Sequence, residues 1–336
     1  MTITEEAPPK IYIQNKIANL IKRLGHPPAV ILLDSHCKTF TISEVEGFIG
    51  YRLERDCAVV ISDPVCAEKD IPALTHAFQD YCTKQKLNVI YILVSEKFAH
   101  WAIQNVSQTL IQVAEELIVD PQIDPTKGRK GEKLRWKVNQ ARNQGIEILE
   151  YTDQNPHLEN QLKEAANLWL QSRKGPQIYL GEVDLFSNRE GTRWLYAKKD
   201  GTVIGVLMLK QIDLFQGWVL NFSMALPNAP TGTSEFLIVS TIEKLREEEC
   251  HFFSLGAGPG TQLGEIVGLG RLTAFIVRHL FRMVDWIFHL QRRRIFFKKF
   301  MPKAFPSYVL FNSKIKINSL LALMRTMNVS YGKNKK

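Results

Sequence analysis

Cysteine is scarce in this chain. Five residues, Cys37, Cys57, Cys66, Cys82 and Cys250, are scattered over 336 positions, with no C-x-x-C pair and no metal-type spacing to the eight histidines. That pattern argues against a disulfide framework and against a zinc site, and it fits a reducing cytosol. No secretory leader is expected, because MTITEEAPPK carries acids and prolines where a leader needs an apolar core. Long unbroken apolar runs are absent as well. The most apolar helix candidate, 271–291, is broken by Arg278, Arg282, Asp285 and His289 at spacings of four, three and four. This gives a narrow polar stripe on a helix expected to be otherwise buried, and not a membrane span. The stripe suits an anion channel or an Arg–Asp surface ladder. With 45% hydrophobic and 23% charged residues the chain reads as globular, long enough for two domains.

Acidic residues are nearly absent from one stretch. Residues 271–336 hold fifteen Lys or Arg against the single acid Asp285, a net +14, whereas residues 1–270 are net −5. The overall charge of +9 is therefore local. A concentrated positive surface attracts RNA or an anionic lipid face; the alternative is a solubilising tail.

Periodicity and turn signals predict an α/β chain. A helix is expected at 10–24, short strands at 29–33, 38–42 and 57–61, and a core-facing helix over 70–86. Strand 88–94, a helix near 96–105 and a strand near 110–119 follow. The loop DPQIDPTKGRKGEK at 120–133 leads into a helix over 133–144 that Gly145 ends. From 157 the element order repeats without sequence identity: helix 157–172, strands near 193–198, 202–210 and 217–223, helix 233–248, strand 251–255 and helix 271–291. The expected division is an N-terminal extension and helix (1–28), a first unit (29–150), a second unit carrying the probable cleft (151–312) and a basic amphipathic tail (313–336). Within the tail, KIKINSLLALMRTM at 314–327 suits either a membrane surface or docking as a core helix on the second unit.

The segment VLNFSMALPNAPTGTSEFL at 219–237 reads as a buried strand, a loop and a helix start, an arrangement that gathers polar side chains and free backbone N–H groups. Asn221 sits in an apolar run, where an amide needs a partner or a cavity, and Glu235 lies in the first helical turn. A simple capped helix is the competing reading. Ser254 and Gly256, in SLGAGPG, place a small-residue loop after a short strand, which suits an acyl group or merely a tight turn. Lys133 and Arg135 follow the basic loop and open a helix, where the dipole does not favour cations; they suit a phosphate clamp or a solvated helix start.

Six fragments in order carry a resemblance: SDPVCAEKDIPAL (62–74), KGRKGEKLRWKVNQARNQG (127–145), WLQSRKGPQIYLG (169–181), LNFSMALPNAPTGTSEFL (220–237), FFSLGAGPG (252–260) and FFKKFMPKAFPSY (296–308). Together they resemble the C-terminal domain of the phosphatidylglycerol lysyltransferases, or multiple peptide resistance factors, without the membrane-spanning flippase part. The resemblance implies two tandem GNAT-like acyltransferase domains, each a mixed central sheet flanked by helices. It also implies transfer of an aminoacyl group from aminoacyl-tRNA to phosphatidylglycerol, with no cofactor or metal required and no DNA partner. Asn221 and Glu235 are then the catalytic candidates. Lys133, Arg135, Arg173, Gly181, Ser254, Gly256, Lys299 and Tyr308 are the substrate-binding candidates, with Arg173 and Gly181 resting on the family pattern. A cytoplasmic protein, peripheral at the inner membrane face, is the implied setting.

The sequence departs from the family pattern at three positions. Asn221 and Met224 stand where an Asp and, three residues on, an Arg are usual, and Phe297 replaces a Lys. Asn can hydrogen-bond but cannot accept a proton as Asp does, and Met can do neither job of an Arg. A catalytically silent tRNA- or membrane-binding relative is therefore a rival reading. A third is an acyl-CoA-dependent N-acetyltransferase, although no convincing pyrophosphate loop of the R/Q-x-x-G-x-G/A type is present.

Overall fold

The computed structural model describes residues 10–173, 183–260, 262–288 and 290–327. It opens with α1 (Lys10–Leu24). Where a strand was expected over 29–33, the chain forms a short 3-10 helix, Pro27–Leu33. Two prolines at its start explain the change: they offer no N–H to a ladder, and their fixed φ suits a first helical turn. Ala29, Val30 and Leu32 still reach the core from it.

The first half continues with β1 (Lys38–Phe40), β2 (Gly47–Glu54), β3 (Cys57–Ile61), β4 (Val65–Cys66), α2 (Ile71–Lys84), β5 (Asn88–Ser95), α3 (Glu96–Asn105) and β6 (Thr109–Val119). β3 and β5 run parallel, and every residue of β3 is buried, as expected of a strand covered on both faces. α2 turns Leu74, Phe78 and Cys82 inward at four-residue spacing. Ser95 caps α3 by accepting from Phe98 N at 3.2 Å.

The second half is α4 (Glu132–Asn143), β7 (Glu147–Tyr151), α5 (Pro156–Ser172), β8 (Thr192–Lys199), β9 (Thr202–Ile212), β10 (Gly217–Ala225), α6 (Thr233–Glu247), β11 (Phe253–Pro259), β12 (Ile266–Val267), α7 (Arg271–Phe288), α8 (Leu290–Lys298), β13 (Lys303–Phe311) and α9 (Ile317–Thr326). Asn155 caps α5, accepting from His157 N at 3.0 Å and Leu158 N at 3.2 Å, with Pro156 as the first helical residue.

One mixed sheet runs through both halves in the order β1-β2-β3-β5-β13-β6-β11-β10-β9-β8-β7. The halves repeat one plan: β3-α2-β5-α3-β6 in the first, and β10-α6-β11 followed by α7, α8 and β13 in the second. The last strands of the two plans, β6 and β13, lie side by side and antiparallel at the middle of the sheet. Each half thus completes its sheet with a strand of the other. This is the mixed α/β, tandem GNAT-like architecture expected from the sequence.

Two helices differ from expectation. α7 is not an otherwise buried helix: Val277 and Phe281 pack on the core, but Leu272, Phe275, Ile276, Leu280 and Met283 are exposed. Arg278, from the expected stripe, donates inward to Leu263 O at 2.8 Å and Gly264 O at 3.3 Å, while His289 lies outside the described residues. Among the described residues no helix is long and apolar enough to cross a membrane. α9 packs on β2 and β3 of the first half, not on the second. Arg52 ties it down, donating to Thr326 O at 2.9 Å and pairing with Asp34 at 3.3 Å.

Candidate active site

The two parallel strand pairs at the heart of each half differ. β3 and β5 stay in register through five consecutive pairs, Cys57–Asn88 to Ile61–Ile92. β10 and β11 pair only at Trp218–Phe253 and Val219–Ser254, after which their ladder ends. Irregularities on both strands explain the parting. On β10 the register against β9 slips between Leu220 and Phe222, so Asn221 is the extra residue of a bulge. On β11 the register against β6 slips between Ser254 and Ala257, where Gly256 holds φ +83°. Bulges bend a strand and re-aim its side chains, and a left-handed φ favours glycine. The parallel strands therefore part in the second half and not in the first.

α6 starts beside this opening. Gly232, just before it, has φ +97°, and a Cβ there would lie 2.2 Å from Lys137 O of α4, so only glycine fits. The tight approach sets the first turn of α6 and with it Glu235, a buried carboxylate whose Oε1 accepts from Lys299 Nζ at 2.7 Å. Lys299, just past α8, also lies 4.9 Å above the Phe296 ring. Phe297 and Phe300 anchor this turn in the core, so the position where the family has a Lys is here a packing residue.

A second carboxylate comes from β6. Glu116 is buried opposite Ala257 of β11 and Phe305 of β13. Ser254 Oγ donates to Glu116 Oε1 and accepts from Gly256 N at 3.0 Å. Glu116 Oε2 is buried with no hydrogen-bond partner. Burial pushes this carboxyl from 4.5 up to about 7, against the opposing pull of the Ser254 hydrogen bond and the Arg293 charge. A group that exchanges its proton near neutrality, with an unused oxygen, can act as acid or base.

α8 packs against β11 and supplies the cations. Arg294 pairs with Glu115 at 3.1 Å, and a Cβ on Gly256 would lie 3.9 Å from Arg293 Nη2. Arg173, stacked 4.0 Å over Trp169, adds a positive charge that Arg293 feels.

The structure thus pairs Glu235 with Lys299, bonds Ser254 to Glu116, sets Gly256 and Arg173 near Arg293, and puts Asn221 on the β10 bulge. Others fall elsewhere. Lys133 is exposed on α4, and Arg135 donates to Thr126 O at 2.5 Å and Gly128 O at 3.4 Å, closing the basic loop on itself. Tyr308 is buried in the core of the first half, and burial with the nearby Glu96 and Glu265 pushes its phenol up to about 12. Gly181 lies outside the described residues. Met224 points into the core beside Trp194 and Met208 at 1% exposure. Sequence reasoning missed Glu116, Arg293 and Arg294. The available signals were two adjacent acids inside an otherwise apolar strand, TLIQVAEELIV, and the run of three arginines at 292–294.

Residues 19–311 match the family described as "Phosphatidylglycerol lysyltransferase, C-terminal". The chain belongs to this family. It is 21% identical over 285 residues to the phosphatidylglycerol lysyltransferase of Staphylococcus haemolyticus (strain JCSC1435), covering 84% of this chain and 34% of that one. It is equally 21% identical over 294 residues to the protein of the same name from Staphylococcus aureus (strain MRSA252), covering 86% and 34%. The chain therefore spans about a third of the length of these curated relatives. The solved structure of L-PGS from Bacillus licheniformis superposes with a TM-score of 0.77 at 18% identity, covering 98% of each chain, which establishes likeness of fold.

Proposed function

We propose that this family member transfers an aminoacyl group from aminoacyl-tRNA to a hydroxyl of phosphatidylglycerol at the cytoplasmic membrane face, in the cleft between β10 and β11. The observation that carries this reading is the parted strand pair with the half-bonded carboxyl of Glu116, which exchanges its proton near neutrality, beside Ser254 of β11. Glu116 takes the place that Asn221 cannot fill. Its carboxylate accepts the proton of the acceptor hydroxyl as that oxygen attacks the ester carbonyl carbon. The bond from the carbonyl carbon to the tRNA ribose oxygen then breaks, and the ribose oxygen receives the proton back from Glu116. Arg293 and Lys299 supply positive charge for the phosphates of both substrates and for the oxyanion, so that catalysis rests on placement and electrostatics. Asn221, with no side-chain partner among the described residues, donates to the acceptor and orients it.

A silent binding module is the second reading, favoured by Met224 being locked in the core and by Glu235 being already paired with Lys299. The two readings separate in one assay. Purified protein is mixed with a full set of labelled aminoacyl-tRNAs and phosphatidylglycerol vesicles, and the lipid phase is analysed by mass spectrometry. An aminoacyl lipid establishes the transferase and names its amino acid; tRNA or vesicle binding without any lipid product establishes the module.

A further inference from the structure

The outer side of α7 is apolar, exposed and basic at its margin. Leu272, Phe275, Ile276, Leu280 and Met283 are 74%, 58%, 48%, 43% and 53% exposed. At 100° per residue these five fall within one sector of the helix, opposite the Val277 and Phe281 side that packs on the core. Arg271, Arg278 and Arg282 line one edge of that sector, and Arg278, Phe281, Arg282, Gln262 and Leu263 enclose a small hollow beneath it. The segment 271–283 contains no acid. Soluble proteins rarely leave so continuous an apolar strip uncovered without a partner.

We propose that the outer face of α7 is the element that lies on an anionic phospholipid bilayer, with its apolar row at the level of the acyl chains and Arg271 and Arg282 among the phosphates. Charge selects this occupant. A second copy of the chain would bring two acid-free, arginine-edged strips together, whereas anionic head groups neutralise them. α9 presents a second such row over the same core cluster, with Ile317, Leu320 and Met324 exposed between Lys316 and Arg325. α7 also touches α8, which carries Arg293 near the β11 bulge at Gly256. The inference rests on the lipid acceptor proposed above, and it names the surface that meets the lipid.

Flotation with vesicles tests it. The wild-type protein is expected to bind vesicles of phosphatidylglycerol mixed with phosphatidylcholine, to bind pure phosphatidylcholine at least tenfold less, and to release with added salt. Phe275→Asp with Leu280→Asp should lower partitioning at least tenfold while leaving the thermal midpoint unchanged, because both side chains are exposed. Arg271→Glu with Arg282→Glu should act likewise at low salt. Unchanged vesicle binding by both double variants overturns the proposal, as does a wild-type protein that ignores anionic vesicles or forms a dimer that Phe275→Asp dissociates. Transfer to a dissolved short-chain phosphatidylglycerol separates this from the catalytic reading: the α7 variants should retain it, and its absence in the wild-type protein counts against the catalytic reading alone.

Discussion

Replacing Glu116 by Gln should make the protein more stable at alkaline pH and less active at every pH. Burial raises the folded-state carboxyl from 4.5 to about 7, the reverse of the usual carboxylate case. Between those values the unfolded chain has lost the proton while the folded chain keeps it. Folding therefore takes up a proton there, so the wild-type protein loses stability as pH rises through this window and the loss levels off above about 7. At about 1.4 kcal/mol per tenfold difference in proton affinity, the full cost is about 3 kcal/mol, an upper figure because water penetration softens buried charge. Glutamine carries no such charge. Urea unfolding of both proteins at pH 4 and pH 8 should show nearly equal stabilities at pH 4 and a variant more stable by about 1–3 kcal/mol at pH 8. Parallel stability profiles for the two proteins would refute a proton held by burial, and with it the basis for Glu116 as the base.

Met224→Arg should destabilise by more than about 3 kcal/mol in thermal or urea unfolding, since it drives an unpaired guanidinium into the cluster around Trp194; Asn221→Asp, on a half-exposed bulge, should be tolerated. Restoring both family residues at once is thus expected to cost folding before it reports on catalysis. Gly232→Ala should lose about 2–3 kcal/mol, because the added carbon meets Lys137 O and the left-handed backbone is strained. Lys299→Met leaves Glu235 buried without its cation and should cost about 1–2 kcal/mol after allowance for the partial exposure of Lys299, with Glu235→Gln in the same background recovering part of it in a double-mutant cycle.

Most of the fold was readable because its elements announce themselves locally. The apolar run 89–94, the four-residue spacing of α2 and the proline-led start of α5 each carry their own signal. What was not readable depends on partners distant in sequence. β13 belongs beside β6, and that pairing is set by register between residues some two hundred positions apart. The 3-10 helix at Pro27–Leu33 reads as a strand by propensity, because its β-branched residues outweigh its prolines. Exposure of α7 was hidden for a related reason: an apolar face looks the same in sequence whether protein or another medium covers it. At the cleft, Asn221 and Glu235 were legible as polar residues in a strand-loop-helix stretch. Glu116 was not, since its chemistry arises from burial against Ser254 and from the bulge at Gly256.

Single-turnover transfer from a labelled aminoacyl-tRNA to phosphatidylglycerol vesicles, run side by side for the wild-type protein and Glu116→Gln, tests the central claim most directly. A general base is worth roughly a hundredfold or more. The expected result is an aminoacyl lipid from the wild-type protein, at least about a hundredfold slower from Glu116→Gln, with vesicle binding equal for both. Equal rates for the two proteins, or vesicle binding with no lipid product from either, would contradict it.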